Sequence, residues 1–350
     1  MIPAGDVVAG LLAGNAVVLK PSEVTPFIAL KLKELFDASG MDPELFQLIT
    51  GDGRTGAALV DAGIDKLVFT GAVRTGRKVA AACAERLMPC TVELGGKAAA
   101  IVCQDADLER TAQALVYGGF VNSGQVCISV ERVYAHEKIH DALLDRVVAL
   151  VSKLRQGDPA SLDIDVGAII FPPQVDVAQR LLADAKEKGA SVLTGGKLRE
   201  GEGLFFEPTV LSACSQDMAV MREEIFGPIL PFMKVKDENE ALDLANDSEL
   251  GLAGYVFSQD PIKARDLAKR LRAGMVMVND VLSGYGIAEA PFGGLKNSGI
   301  GRVHGEEGLL AMCEQRHLCF DRLTMKRDPF WFPYSEKTYR WLRKALNWLF

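Results

Sequence analysis

The sequence is poor in histidine, has no closely paired cysteines and lacks any long uncharged apolar run. Its 4 histidines are scattered, and its 7 cysteines include no C-x-x-C pair. We therefore expect no metal site, no zinc knuckle and no disulfide framework, and this cysteine usage fits a reducing, cytoplasmic compartment. Without an apolar run of bilayer length or a basic leader segment, the sequence predicts neither a transmembrane helix nor a signal peptide.

An excess of positive charge is also absent. The chain has 39 Lys and Arg residues against 46 Asp and Glu residues, which gives a formal net charge of −7. Nucleic-acid-binding proteins are normally basic, so we expect no nucleic-acid partner. Nearly half of the sequence is apolar (49%), enough for a large core, and 350 residues fit two domains better than one.

Strand and helix patterns alternate through the first 100 residues. Residues 16–19 are apolar on both faces and predict a buried strand, and the amphipathic residues 26–39 predict a helix. Further strands are predicted at residues 46–49, 66–69 and 90–94, with an alanine-rich helix at residues 73–86. This alternation is typical of a parallel, doubly wound sheet.

A second α/β segment follows just after Gly96. Helices are predicted at residues 108–120, 140–154 and 175–188, and strands at residues 130–135, 229–232, 254–258 and 274–279, which complete a second sheet. His136 and His140 straddle a strand–helix junction and are expected at the surface. The cysteines other than Cys127 are expected to be small buried apolar residues.

Cys127 lies at the end of a polar, glycine-containing segment that begins after Phe120. A free thiol with a pKa of about 8.5 is only slightly ionised at neutral pH, so a reactive cysteine needs a nearby base or dipole. Glu93, which opens the run Glu-Leu-Gly-Gly-Lys, could be that base or could activate water. Taken alone, Cys127 could equally be an inert buried cysteine.

Other motifs are typical of nucleotide binding. Lys20 and Glu23 follow a predicted strand, where α/β sheets bind nucleotides, although a solvated turn is the plain alternative. Residues 71–78 superficially resemble a P-loop, but Arg77-Lys78 supplies no hydroxyl for Mg²⁺, and a plain strand-to-helix turn is possible. Two further conspicuous segments are Glu-Glu-Ile-Phe-Gly-Pro at residues 223–228 and a glycine-rich loop at residues 291–302. Phe226 could simply be a core residue.

In order and spacing, these motifs resemble those of the aldehyde dehydrogenase superfamily, from about residue 14 to residue 310. The resemblance implies an α/β fold with an incomplete Rossmann-type cofactor domain (residues 1–96), an α/β catalytic domain (97–310) and a C-terminal segment (311–350). It implies Cys127 as nucleophile, Glu93 as base and Asn279 near the active site. The cofactor residues that it implies are Lys20, Ser22, Glu23, Gly71, Ala72, Gly76, Leu94, Glu224 and Phe226.

The implied reaction oxidises a small-molecule aldehyde to a carboxylic acid through a cysteine thiohemiacetal and thioester. Glu23 would hold the adenosine ribose and repel a 2′-phosphate, so NAD is favoured and NADP remains possible. Two alternatives stay open: a relative that transfers the acyl group to coenzyme A, and a catalytically impaired fragment or pseudo-enzyme subunit. The full-length form is expected to be a homo-oligomer.

The sequence departs from the family pattern at both ends. Family members carry a domain-sized stretch before the residue that matches Met1, including a loop asparagine that helps to bind the oxyanion. A late-called start codon or a gene fragment would explain this, and the chain alone is expected to be poorly soluble or inactive. At the other end, residues 336–350 predict an aromatic, basic, amphipathic helix with Ser335 as N-cap. Residues 335–350 could contact a membrane surface, a partner subunit or their own domain.

Overall fold

The computed structural model describes residues 2–322, 325–328 and 330–349. They form two compact units, the first ending at Cys313 and the second beginning at Glu314. The boundary expected after Gly96 falls inside the first unit, and the division into residues 1–96, 97–310 and 311–350 stays a prediction.

Strands and helices alternate along the first part of the larger unit. The elements are α1 (Ile2–Leu12), β1 (Val17–Leu19), α2 (Pro26–Ala38), β2 (Phe46–Leu48), α3 (Gly53–Asp61), β3 (Leu67–Thr70), α4 (Val73–Glu85) and β4 (Cys90–Glu93). The strands and helices predicted for this part are confirmed, with ends that shift by one residue at most. The helices α1 and α3 are additional.

These strands pair in parallel but form two small sheets instead of one. β1 pairs with β2, and β3 pairs with β4, while β1 and β3 are not neighbours within the described part of the chain. The strand at residues 16–19 was expected to be buried, but Val18 is 42% exposed. Its sheet has only two strands, so Val17 and Leu19 face the covered side and Val18 faces the open side.

The second part of the larger unit is built on a larger sheet. Its elements are β5 (Ala98–Val102), α5 (Leu108–Phe120), β6 (Val130–His136), α6 (Glu137–Val151), α7 (Pro172–Glu187), β7 (Ser191–Thr194), β8 (Thr209–Ser212), α8 (Ala219–Arg222), β9 (Ile229–Val235), α9 (Glu238–Asn246), β10 (Leu250–Gly251), β11 (Ala253–Phe257), α10 (Pro261–Arg270), β12 (Met275–Val278), β13 (Leu295–Lys296), β14 (Gly299–Ile300) and α11 (Gly305–Leu310). Short 3₁₀ helices lie at Val121–Gly124 and Ser283–Gly286.

Seven of the described strands form one sheet in the order β12-β11-β5-β6-β9-β8-β7. All neighbours are parallel except β7 and β8, and the second sheet predicted from the sequence is confirmed. Alternate residues along β5 face opposite sides: Ala98, Ala100 and Val102 pack towards α5 and α6, while Ala99 and Ile101 pack towards α7, α9 and α10.

The sheets meet where the predicted site residues cluster. β4 ends at Glu93, and residues 94–97 lead directly to the amino end of β5. The segments carrying Cys127 and Glu224 precede β6 and β9, and β5, β6 and β9 are adjacent in the larger sheet. The carboxyl end of one sheet therefore faces the amino end of the other across residues 93–97.

Two expectations about individual residues are wrong. His136 and His140 are buried, although they were expected at the surface. The His136 ring accepts the Lys138 N–H and caps α6, which begins at Glu137, three residues before the predicted start. Among the cysteines, Cys83, Cys103 and Cys214 are buried, but Cys90 is half-buried and Cys313 and Cys319 are exposed. All seven are free thiols.

The second unit contains α12 (Glu336–Leu349). The predicted helix and its cap are confirmed: the Thr338 N–H donates to Ser335 Oγ at 3.1 Å. Residue 350 lies outside the described part of the chain. Tyr339, Trp341 and Trp348 are exposed on this helix. Within the described residues, no helix has both the length and the apolarity needed to cross a bilayer.

Candidate active site

Backbone geometry explains the sequence of the Cys127 loop. After α5 ends at Phe120, Asn122 (φ 51°), Ser123 (φ 58°) and Gly124 (φ 71°) all adopt left-handed conformations. A β-carbon on Gly124 would lie 2.2 Å from the carbonyl oxygen of Gly227, so only glycine fits there. The loop turns sharply here and directs the chain to Cys127 at the amino end of β6.

The buried amide of Gln125 holds this loop in place. Gln125 Nε2 donates to the carbonyl oxygens of Asn122 (3.0 Å) and Ala168 (3.2 Å), and its Oε1 accepts the Ile170 N–H at 3.0 Å. Asn122 Nδ2 in turn donates to the Gln125 carbonyl at 3.0 Å. The Asn-x-Gly-Gln pattern therefore positions the backbone that carries Cys127, and neither side chain is free to react.

The segment after Glu93 packs directly on the nucleophile candidate. A β-carbon on Gly96 would lie 2.4 Å from the Cys127 carbonyl oxygen, which requires glycine at this position. Ser298 fixes the same segment, because its Oγ donates to the Gly95 carbonyl at 2.8 Å and its carbonyl accepts the Leu94 N–H at 2.9 Å. The glycine-rich loop at residues 291–302 thus serves to hold the Glu93 segment.

Glu93 and Cys127 share one small cavity of about 20 Å³. Glu93 is only 5% exposed, and neither carboxylate oxygen has a hydrogen-bond partner among the described residues. The remaining lining residues are mostly apolar: Ile2, Asp6, Thr70, Leu94, Leu252, Tyr285, Phe292 and Val303. The pair predicted from the sequence is brought together in a site with little room for water.

Burial sets the protonation of this pair. The pKa of Glu93 is raised to about 8, chiefly by burial; Arg302 opposes the rise and Asp6 adds to it. The pKa of Cys127 is raised to about 11 by burial and by the charges of Glu224 and Glu93. At neutral pH the resting site therefore holds a neutral thiol beside a largely protonated carboxyl group.

The turn at residues 223–227 brings a second carboxylate to the same place. The Gly96 N–H donates to Glu224 Oε1 at 3.1 Å, and a β-carbon on Gly95 would lie 2.2 Å from Glu224 Oε2. Burial and the charge of Glu131 raise the pKa of Glu224 to about 7. Phe226 is half-buried and adopts a left-handed conformation (φ 45°), so it is not an ordinary core residue.

A cavity of about 880 Å³ opens beside Glu224. Val73, Arg74 and Arg77, from the first turns of α4, line it. Ala72 precedes this helix and provides no side-chain cap within the described structure, so the helix N-terminus offers unsatisfied N–H groups near two guanidinium groups. The α4 N-terminus and these two guanidinium groups fit an anionic group such as a diphosphate, while the carboxylates of Glu223, Glu224, Asp247 and Glu249 line other parts of the cavity.

Comparison with known proteins identifies the family. The model of the aldehyde dehydrogenase family matches residues 1–318. The chain belongs to the aldehyde dehydrogenase family. It is 43% identical over 341 residues to a 4,4′-diapolycopene aldehyde oxidase from a Methylomonas species, covering 97% of this chain and 63% of that protein.

Solved aldehyde dehydrogenases have the same α/β fold. The NAD-dependent enzyme from Sinorhizobium meliloti superposes with a TM-score of 0.86 at 36% identity, covering 89% of this chain and 62% of that one. An enzyme from Mycobacterium tuberculosis complexed with NAD⁺ gives 0.85 at 36% identity, covering 89% and 65%. The chain thus spans less than two thirds of the length of these relatives.

The family's glycine turn before α4 is tightly packed. A β-carbon on Gly76 would lie 2.2 Å from Leu94, and one on Gly71 would lie 2.6 Å from the Phe69 ring. The first turn of α4, which lines the larger cavity, therefore packs directly against the Glu93 segment. This contact includes Gly71, Ala72, Gly76 and Leu94. The structure brings these predicted cofactor residues together with Glu224.

The predicted adenosine residues lie elsewhere, at the carboxyl end of β1. Lys20 Nζ donates to the Gly51 carbonyl at 2.8 Å and lies 3.8 Å from Glu23 Oε2, while Ser22 Oγ accepts the Val24 N–H at 3.2 Å. The three residues are close to one another but do not line either cavity described above. They follow β1, which pairs only with β2 among the described strands.

Asn279, expected near the active site, follows β12 at the carboxyl end of the larger sheet. Its amide pairs with the Ser258 backbone through two hydrogen bonds, of 2.9 and 2.8 Å. It does not line the cavity that holds Cys127. In this chain the Asn279 side chain instead joins the end of β12 to the end of β11.

Several residues of the site escaped the sequence reasoning. Asp6 and Tyr285 lie outside the motifs, and Glu131 lies in the strand predicted at residues 130–135. Lys97 belongs to the Glu93 motif but gave no sign of its partner. A hint was available in Glu131 and Arg132, two adjacent charged residues inside a predicted strand, since a charged side chain is costly to bury without a counter-ion.

Proposed function

We propose that this chain contributes the active site of an enzyme that oxidises an aldehyde to a carboxylic acid with NAD⁺, NADP⁺ being the second candidate. The observation that carries the proposal is the shared cavity of Cys127 and Glu93, with Glu224 docked on Gly95 and Gly96 at its edge. A thiol and a carboxyl group in one nearly dry site suit attack on a carbonyl carbon followed by hydrolysis.

In this proposal the Cys127 thiol releases its proton to water, and its sulfur bonds to the aldehyde carbon as one electron pair of the carbonyl bond moves to the oxygen. Bound nicotinamide would supply the acceptor for the hydride that leaves this carbon. The resulting thioester is attacked by water, whose proton passes to the ionised Glu93 carboxylate, and the carbon–sulfur bond breaks to return the Cys127 thiolate. Because the pKa of Glu93 is about 8, turnover should rise with pH through that value.

We assign the cofactor contacts to three groups of residues. Gly71, Ala72 and Gly76 would bring the α4 N-terminus to the diphosphate, while Leu94, Glu224 and Phe226 would hold the nicotinamide end. Lys20, Ser22 and Glu23 would bind the adenosine ribose. The cationic Arg74 and Arg77 beside the helix N-terminus support an anionic ligand in the larger cavity. The exposed Glu23 carboxylate supports NAD over NADP, because it would repel a 2′-phosphate.

We propose an apolar aldehyde as substrate. Ile2, Leu252, Phe292 and Val303 supply an apolar wall beside Cys127, and Tyr285 stacks edge-on to Phe292 with ring centroids 4.9 Å apart. The Methylomonas relative is named for 4,4′-diapolycopene aldehyde. A substrate of that class would bring only its aldehyde end against this wall, with the carbonyl carbon at the thiol, because the cavity has a volume of about 20 Å³.

We also propose that residues 335–350 contact a membrane surface, that the full-length protein is a homo-oligomer and that it is cytoplasmic. The exposed aromatic rings of α12, together with Arg340, Arg343 and Lys344, support an interfacial position on an anionic surface. Flotation with anionic vesicles, with and without residues 330–350, tests this. Equal flotation of the two forms would exclude the membrane contact.

The enzymatic proposal is tested by NADH formation from an apolar aldehyde, with and without coenzyme A. We expect formation without coenzyme A and none for Cys127→Ala. Strict dependence on coenzyme A would support the acyl-transferring alternative. A Cys127 thiol that iodoacetamide cannot label, in a protein that forms no NADH, would support the non-catalytic one.

A further inference from the structure

Lys97 and Glu131 form an ion pair that is removed from water. Lys97 Nζ lies 2.9 Å from Glu131 Oε2, and the two side chains are 0% and 5% exposed. Burying two charges is costly, and their attraction offsets the desolvation only when further hydrogen bonds satisfy them. A buried pair of this kind therefore needs further hydrogen-bond partners.

The Glu131 carboxylate also binds the backbone of the turn that carries Glu224. The Ile225 N–H donates to both oxygens at 3.0 Å, and the Phe226 N–H donates to Oε1 at 2.9 Å. Phe226 has a positive φ, a conformation that is strained for a residue with a side chain. Two charge-assisted hydrogen bonds at this point can hold the strained turn in place.

The same pair joins the turn to both catalytic segments. Lys97 ends the segment that begins at Glu93, and Glu131 lies on β6, which begins shortly after Cys127. The Lys97 carbonyl accepts from Arg132 Nε at 3.0 Å, which ties the Lys97 backbone to β6 as well. The pair is thus the link between the segment of the base, the strand of the nucleophile and the turn before β9.

We propose that the buried Lys97–Glu131 pair positions the 223–227 turn, so that Glu224 stays against Gly95 and Gly96 beside Cys127. Neither residue needs to touch substrate; both act through Glu224 and Phe226. This inference rests on the proposed function for its meaning in cofactor binding. Its geometric part stands on the contacts between the three segments.

If the pair positions Glu224, its removal should change the pKa of the Cys127 thiol, which a general loss of stability would not do. The Cys127 thiol is faced by Glu224 and Glu93 and by the hydroxyls of Tyr285 and Tyr255, and Glu224 is the larger of the two carboxylate influences that raise its pKa. If the turn is released, the Glu224 charge moves away. The Cys127 thiol should then ionise at lower pH.

The test compares a charge-free double variant, Lys97→Met with Glu131→Gln, with a matched core variant, Val147→Ala. Removing both charges avoids leaving one of them buried and alone. Val147 is fully buried on α6, a helix that contributes no residue to the turn or to either cavity, and its truncation lowers stability. The readouts are NADH affinity by fluorescence and the pH profile of Cys127 alkylation by iodoacetamide, followed by peptide mass spectrometry.

For the double variant we expect NADH binding to weaken about tenfold, as the loss of one well-placed contact of about 1.4 kcal/mol implies, and the alkylation profile to move to lower pH. The Val147→Ala control should keep the wild-type affinity and profile. Adding Glu224→Gln should shift the profile in the wild-type background and have no further effect in the double variant. An alkylation profile unchanged in the double variant would overturn the proposal.

If the double variant does not fold, Lys97→Gln with Glu131→Gln is measured instead, since it is also free of charge and gives the Glu131→Gln amide a hydrogen-bonding partner in place of the Lys97 ammonium. A wild-type affinity and alkylation profile in that variant would overturn the positioning role of the charge. Should the wild-type protein itself not bind NADH, the proposed function fails, while the alkylation profiles still decide whether the pair positions Glu224.

Discussion

The part of the site that we propose for the nucleophile (the nucleophile side) and the part that we propose for the adenosine (the adenosine side) are built in opposite ways. Around Cys127, three segments approach so closely that Gly95, Gly96 and Gly124 have no room for a β-carbon. Around Lys20, Ser22 and Glu23, the chain forms a two-stranded sheet with exposed side chains. The first side is specified by backbone packing and the second by surface charge, so substitutions should act on catalysis in the first and on cofactor choice in the second.

The largest expected effect is on the nucleophile side, from Glu93→Gln. Without the carboxylate, water is not activated, and turnover should fall by about 10²–10⁴-fold. Because the acylation step does not use Glu93, one equivalent of NADH per active site should still form rapidly. Stopped-flow absorbance at the NADH band measures both phases; loss of the rapid phase together with turnover would assign Glu93 to an earlier step.

Gly96→Ala should break the same side through the backbone. The added carbon would meet the Cys127 carbonyl oxygen at 2.4 Å, and displacing a reacting group by about 1 Å can cost about 10²-fold in rate. Gly53→Ala is the matched control, because no atom lies within 4 Å of its β-carbon position. Steady-state kinetics on both variants check this, and equal activity of the two would contradict close packing at Gly96.

Glu93 also makes the nucleophile side sensitive to pH. Its pKa is about 8 in the folded chain and 4.5 ordinarily, so the folded state binds more protons between these values and the free energy of unfolding falls as pH rises through them. Glu93→Gln removes this fall. We expect it to be more stable than wild type at pH 8.5 by on the order of 2–5 kcal/mol, with little difference at pH 4.5.

Urea titrations at the two pH values measure this difference. Asp6, whose pKa is raised to about 6, is present in both proteins and largely cancels in the comparison. An equal free energy of unfolding for wild type and variant at pH 8.5 would mean that Glu93 is not buried as described.

The smallest effect is expected on the adenosine side, from Glu23→Ala. Removing the carboxylate should reduce the preference for NAD over NADP by about tenfold, the equivalent of one contact of about 1.4 kcal/mol. Folding and Cys127 alkylation should not change, since Glu23 is exposed. Ratios of kcat/KM for the two cofactors give the answer, and an unchanged ratio would remove Glu23 from cofactor selection.

Much of the fold could be predicted because local signals coincide with the elements. Helix α5 was predicted at both ends: Asp107 caps it by accepting the Arg110 N–H, and Gly124 lies in the turn that follows it. The pairing of β1 to β4 into two sheets could not be predicted, because strand periodicity carries no information on edges. The start of α6 was predicted too late because the His136 ring caps this helix, and histidine is not a residue type that predicts a helix cap.

The site was predictable where function constrains the backbone. Gly96 and Gly124 leave a trace in the sequence because no other residue fits, and this trace led to Cys127 and Glu93. Asp6, Tyr285 and the Lys97–Glu131 pair left none, because each depends on a partner that only the fold brings near. The raised pKa of Glu93 was also invisible, since it arises from burial.

Trapping the acyl intermediate on Cys127 tests the proposed roles of Cys127 and Glu93 most directly. Glu93→Gln is mixed with an apolar aldehyde and NAD⁺, quenched in acid, digested and analysed by mass spectrometry. We predict an acyl group on the peptide that contains Cys127 and none when Cys127 is replaced by alanine. No acylation, or acylation of another cysteine, would contradict the assignment of Cys127 and Glu93.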